Sequence, residues 1–79
     1  MYKELIEYLV KSLVDNKDAV VLTEAKEDTK TVITVKVDSK DMGRVIGKKG
    51  KIANSIKTLI QAKAYNDGNK KVKVNIDSF

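Results

Sequence analysis

Cysteine, histidine, proline and tryptophan are all missing from this chain of 79 residues. Without cysteine the fold cannot rest on disulfides or on a thiolate metal site, and a reducing, intracellular location is compatible with the sequence. Without histidine the commonest general base and metal ligand is gone. The acidic residues fall mostly in the first half and show no ligand-like spacing, so no metal, cofactor or catalytic centre is expected. The lack of proline accompanies the lack of any linker, low-complexity tract or internal repeat, and one domain over residues 1–79 is expected. Aromatics are few: Tyr2, Tyr8, Tyr65 and Phe79 are the whole set. None is expected in the region of the glycine loop and the helix that follows it, which argues against a base-stacking platform of the RRM or OB type. Long apolar runs are missing too, because Lys3, Glu4 and Glu7 interrupt the N-terminus. Neither a signal peptide nor a membrane span is expected, which leaves the cytoplasm as the expected compartment.

What is present is positive charge, unevenly spread. The net charge is +5. Residues 1–39 carry six basic against eight acidic side chains, a net −2, whereas residues 40–73 carry ten basic against two acidic, a net +8. Asp77 accounts for the remainder. A basic half is the electrostatic footprint of a nucleic-acid binder, although a solvated lysine-rich surface would look the same by charge alone.

The basic half contains the run Asp41-Met42-Gly43-Arg44-Val45-Ile46-Gly47-Lys48-Lys49-Gly50-Lys51-Ile52. Gly47 and Gly50 bracket two lysines, and glycine both adopts positive φ and lets another backbone come close. The residues after Gly50 begin a helical pattern, so free N–H groups and the positive end of a helix dipole should face whatever lies over the loop. An anion suits that place. Lys48 and Lys49 add mobile positive charge that reaches phosphates without reading bases. Two nucleotide-loop alternatives fail on the residues: a Rossmann fingerprint needs glycine where Val45 stands, and a P-loop needs Ser or Thr where Ile52 stands.

Periodicity predicts the elements around the loop. Tyr2, Leu5, Ile6, Leu9, Val10 and Leu13 form one apolar stripe along a first helix that fades near Asp15-Asn16-Lys17. Residues 19–26 and 31–37 are rich in β-branched side chains and read as a hairpin around Glu27-Asp28-Thr29-Lys30. Asp38 and Ser39 offer N-cap oxygens to a short helix over residues 42–46. Residues 51 to about 64 form a longer helix, in which Ile52, Ile56, Leu59 and Ile60, widened by Ala53 and Ala64, span an arc of roughly 140°. That arc is wide enough to serve more than one contact. Asp67-Gly68-Asn69 is a turn, and Val72, Val74 and Ile76 alternate as a last strand. The order α-β-β-α-α-β requires a crossover between the second and third strands, which favours their parallel pairing. The expectation is an α+β fold, a three-stranded mixed sheet with its helices on one face.

The segment Val-Ile-Gly-x-x-Gly-x-Ile resembles the signature of the KH domain, whose GXXG loop clamps the backbone of about four nucleotides. The element order resembles the type II arrangement of that fold. Over essentially its full length the chain is similar to the KhpA family of stand-alone bacterial KH proteins. The similarity is carried by residues 41–53, by residues 5–16 in the first helix and by residues 72–77 in the last strand. Lys49, where a neutral polar residue would also suit, and Asn54-Ser55 in the helix depart slightly from the family pattern.

The resemblance implies an RNA-binding protein, an RNA chaperone or post-transcriptional regulator linked to cell shape and cell-wall biogenesis. It implies self-association as a homodimer, or pairing with a larger KhpB (Jag-like) KH-containing protein. It assigns Gly47, Lys48, Lys49 and Gly50 to the backbone clamp, Arg44 and Lys51 to flanking phosphates, and Val45, Ile46, Ile52 and Ile56 to an apolar groove for bases. The alternative is an interaction module that keeps the fold but mainly docks a partner protein through the wide apolar arc. No membrane partner, small-molecule substrate or enzymatic activity is expected in either case.

Overall fold

A computed structural model describes residues 2–68 and 70–79. The chain runs through α1 (Tyr2–Lys11), β1 (Val21–Lys26), β2 (Thr31–Val37), α2 (Met42–Ile46), α3 (Lys51–Asn66) and β3 (Val72–Ser78). Single 3-10 turns at Lys17–Ala19, Ser39–Asp41 and Lys48–Gly50 join them. The predicted turn at Asp67-Gly68-Asn69 includes Asn69, which lies outside the described residues.

β2 is the central strand. It pairs antiparallel with β1 (Val21 opposite Lys36, Lys26 opposite Thr31) and parallel with β3 (Thr31 opposite Val72, Val37 opposite Ser78). The hairpin closes with the Glu27 N–H donating to the Lys30 carbonyl at 2.8 Å. Because side chains alternate along a strand, Ile33, Val35 and Val37 of β2 share one face with Val72 and Val74 of β3. All five are buried there together with Ile6, Val10 and Val14 from the first helical segment, Val45 of α2, and Ile56, Ile60 and Ala64 of α3. Each fully buried Ile or Val contributes about 1.5–3 kcal/mol relative to exposure, so this cluster is the main source of stability. The opposite sheet face carries Thr34 and Asn75, half-buried, and exposed Lys36, whose Nζ lies 6.0 Å from the centre of the Phe79 ring.

Three boundaries differ from the sequence reading, each for a local reason. α1 ends at Lys11, where the Leu13 N–H donates to the Val10 carbonyl at 3.0 Å and tightens the last turn; Val14, four residues after Val10 and donating to the same carbonyl at 3.3 Å, is buried in the core. β1 begins at Val21, not at Ala19, because Lys17–Ala19 closes a 3-10 turn in which the Ala19 N–H donates to Asn16. α3 runs on to Asn66, with the Asp67 N–H donating to the Lys63 carbonyl at 3.0 Å.

Asp41 is the one charged side chain buried among the described residues, at 4% exposure. Its carboxylate accepts the N–H groups of Asp15 (3.2 Å) and Asn16 (3.0 Å), so the segment after α1 is tied to the start of α2. Asp38 reinforces the tie, taking the Lys40 N–H at 3.0 Å and the Asn16 side-chain amide at 3.1 Å. Those hydrogen bonds, the backbone one first, hold the Asp38 carboxyl below its ordinary pKa.

Candidate nucleic-acid interface

The loop between α2 and α3 is built from backbone geometry that side chains other than glycine rarely tolerate. The Gly47 N–H closes α2 on the Gly43 carbonyl at 2.9 Å, and the backbone then turns at φ 74° and ψ 179°. Lys49 (φ 56°) and Gly50 (φ 76°) are left-handed as well, so three of the four loop residues have positive φ. A Cβ on Gly47 would lie 2.6 Å from Ile52 Cγ1. Ile52 is therefore a strut under the loop, and only hydrogen fits between them. Gly50 is the N-cap of α3 and provides no side-chain cap; the Lys51 N–H donates to the Lys48 carbonyl, and the first-turn N–H groups that follow receive no capping side chain from Gly50.

Lys48, Lys49 and Lys51 are exposed around this helix start, so mobile cations and the positive end of a 16-residue helix dipole converge there. Arg44 stands on the α2 side of the same loop. Its Nη1 lies 2.7 Å from Asp15 Oδ1, in an ion pair whose two side chains are both largely exposed.

Beside α3 runs a groove of about 530 Å³ whose other wall is β3. Lys57, Thr58, Gln61, Ala62 and Tyr65 line it from the helix, and Val72, Lys73 and Val74 line it from the strand. Among the described residues β3 has no strand neighbour on this side. Gln61 bridges the two walls: its Nε2 donates to the Lys70 carbonyl at 2.9 Å, and its Oε1 accepts the Val72 N–H at 3.2 Å. A second apolar groove, about 390 Å³, lies on the other flank of α3, where Leu9 and Leu13 face Ile52, Ile56 and Leu59.

A family model described as KhpA/KhpB, KH domain matches residues 3–76. The chain belongs to this family. A Clostridium perfringens protein named RNA-binding protein KhpA is 45% identical over 74 residues, 94% of this chain and 97% of the relative. The Borreliella burgdorferi protein of the same name is 41% identical over 73 residues, 92% of this chain and 88% of the relative. Among solved structures, Era from Aquifex aeolicus bound to GDP and AlF4− superposes with a TM-score of 0.68 at 15% identity. That match covers 99% of this chain and 30% of the Era chain. A structure of Era with MgGDPNP and nucleotides 1506–1542 of 16S ribosomal RNA gives 0.66 at 16% identity, covering 98% and 29%. These likenesses agree with the α+β KH fold and its α-β-β-α-α-β order.

Within this KhpA/KhpB fold the site residues expected from the sequence divide into two groups. Gly47, Lys48, Lys49, Gly50, Arg44 and Lys51 come together around the loop. The four apolar residues assigned to a base groove do not line the α3/β3 groove. Val45 has 0% exposure and Ile56 6%, both in the core, while Ile52 supports Gly47 and Ile46 is half-buried. Lys57, Gln61 and Tyr65 take the groove wall instead. Their spacing of four residues was readable as one helical stripe flanking the core stripe, but polar and aromatic types without apolar periodicity do not announce a wall. The expectation of no aromatic in the loop and its following helix also needs correction, because α3 runs to Asn66 and so includes Tyr65, which lines the groove. No helix among the described residues is long and apolar enough to cross a membrane.

Proposed function

We propose that the protein binds single-stranded RNA, with the sugar-phosphate backbone over the Gly47-Lys48-Lys49-Gly50 loop and the bases in the α3/β3 groove. The observation that carries this reading is the loop itself: positive φ at Lys49 and both glycines, an uncapped helix start, and exposed lysines meet at one point. Relatives bearing the name RNA-binding protein KhpA support it. Lys51 and Arg44 flank the path of the phosphates, Arg44 in competition with Asp15. The unpaired edge of β3 would offer backbone groups to base edges beyond Val72, whose N–H is held by Gln61.

We assign the chain no catalytic step. Its role would be that of an RNA chaperone or post-transcriptional regulator in the cytoplasm, acting as one domain and connected to cell shape and cell-wall homeostasis. A site of about four nucleotides binds weakly, so a second copy or a KhpB-type partner would raise avidity through effective concentration. The α1/α3 groove favours a place for such a partner, since Leu59 on its rim is 51% exposed. The same groove supports the second reading, a docking module in which RNA is secondary.

The test is fluorescence anisotropy of labelled single-stranded RNA with wild type and with Lys48→Asp/Lys49→Asp, both checked for folding by circular dichroism. Loss of binding in the folded variant is expected. Two to four phosphate contacts predict a log-log salt slope of about −1.5 to −3. Equal binding by the variant, or an affinity indifferent to salt, would remove the clamp. A variant that loses RNA yet keeps partner binding and cellular activity would favour the docking reading.

A further inference from the structure

Tyr65 is the largest side chain on the α3/β3 groove wall and is 55% exposed, although Val72 and Val74 across from it are buried. The core position on this last turn of α3 belongs to its neighbour Ala64, at 0% exposure. Tyr2, by contrast, uses its hydroxyl within the fold, donating to Asp67 at 3.0 Å. The Gln61 amide next to Tyr65 is engaged at both ends by backbone, so it is not available to a ligand through those contacts. What this end of the groove offers is an aromatic ring, the small Ala62 beside it and the aliphatic margin of β3. Lys57 and Lys73 stand on the rim.

An aromatic face in an open apolar slot with cations at its edge matches one ligand chemistry well, a nucleobase carried on its phosphate. Bases stack on such rings irrespective of sequence because every base has a π-face. α3, which forms one wall of the groove from Lys57 to Tyr65, begins directly after the glycine loop. At the helical rise per residue, Tyr65 stands about 21 Å along the axis from Lys51.

We propose that Tyr65 stacks on a nucleobase at the end of the groove remote from the glycine loop, adding a base contact beyond the backbone clamp. This inference rests on the RNA-binding reading above and extends it to a residue of this chain. The ring acts by its face, so the hydroxyl is dispensable. Removing it leaves the fold intact, because the side chain is outside the core cluster.

The experiment is an abasic scan: a short single-stranded RNA carrying one abasic nucleotide at each position in turn, titrated by anisotropy against wild type, Tyr65→Phe and Tyr65→Ala. Tyr65→Ala should weaken binding of the intact RNA between about 5-fold and 150-fold, the range for loss of one stacked base. In wild type and Tyr65→Phe one abasic position near an end should lower affinity, and in Tyr65→Ala that penalty should vanish at that position alone. Such coupling reports contact and not general destabilisation. An abasic profile unchanged by Tyr65→Ala, or Tyr65→Phe as weak as Tyr65→Ala, overturns the stacking. The Lys48→Asp/Lys49→Asp variant separates the two levels. Loss there with an unchanged Tyr65 profile overturns the stacking and leaves the clamp. Persistence of the Tyr65 coupling without any effect of the lysines supports the stacking and removes the clamp. Failure of wild type to bind any RNA overturns both.

Discussion

Replacing Gly47 with alanine should cost far more stability than the same change at Gly50, although the two glycines bracket one loop. Gly47 sits at φ 74° and ψ 179°, a region almost closed to residues with a Cβ, for which about 1–3 kcal/mol of strain is expected. The new methyl would also lie 2.6, 2.9 and 3.0 Å from Cγ1, Cδ1 and Cβ of Ile52. A rotamer change can move Cγ1 and Cδ1, but Ile52 Cβ is fixed to the helix backbone, so some overpacking persists, typically about 1–3 kcal/mol. The combined loss is about 2–6 kcal/mol. Domains of this size have a total stability of about 4–12 kcal/mol, so the change removes a large share of it.

At Gly50 (φ 76°, ψ 14°) the nearest outside atom to a new Cβ is Asn54 Nδ2 at 3.7 Å, an ordinary contact. Left-handed strain alone remains there, about 1–2 kcal/mol. Urea unfolding followed by circular dichroism should therefore rank Gly47→Ala below Gly50→Ala. Ile52→Ala, which deletes Cγ1 and Cδ1, should reduce the additional cost of Gly47→Ala toward the strain term. Equal losses at the two glycines, or strict additivity of Gly47→Ala with Ile52→Ala, would refute the account of Ile52 as the strut that shapes the loop.

Asp15→Asn should release Arg44 from its 2.7 Å ion pair and tighten RNA binding. Exposed pairs are worth at most about 1 kcal/mol, so a gain of up to about 5-fold is expected by anisotropy at low salt, shrinking as salt is added. Weaker binding by this variant would show that Asp15 positions Arg44 for phosphate and does not compete with it. Asp38 provides a test by pH. Its folded-state pKa is depressed, chiefly by the Lys40 N–H and then by Asn16, so its stabilisation is present at neutral pH and is lost as pH falls through that depressed value. The stability difference between wild type and Asp38→Ala should accordingly be largest near neutrality and narrow below about pH 4. A difference that widens toward acid would contradict this sign.

Much of the fold was legible because its signals are local. The alternation of Ile33, Val35 and Val37, the stripe from Tyr2 to Val10 and the polar hairpin loop each follow from one element's own period, and each element formed where its pattern lay. Parallel pairing of β2 with β3 was also readable, since two intervening helices enforce a crossover. Boundaries were less legible where longer-range ties intervene. Asp41 is 25 residues from Asn16 in sequence, and their hydrogen bond holds the segment after α1 in place. No pattern within the turn at Lys17–Ala19 announces that tie. Val14, outside the expected stripe, is buried because it follows Ile6 and Val10 at four-residue spacing, while Leu13 packs half-buried at the margin of the same core.

The glycine loop and the basic charge around it belong to the sequence, since positive φ, an uncapped helix start and exposed lysines are properties of consecutive residues. Assigning each flank of α3 was a matter of packing. An apolar arc of roughly 140° has two margins, and residue type does not say which neighbour each margin meets. Once the Ala53, Ile56, Ile60 and Ala64 stripe docks on the sheet, Ile52 and Leu59 are left facing α1, while Lys57, Gln61 and Tyr65 are left facing the unpaired side of β3. A helix has a single orientation on its sheet, and burial of the four-residue stripe selects it; the groove with its aromatic wall follows from that choice.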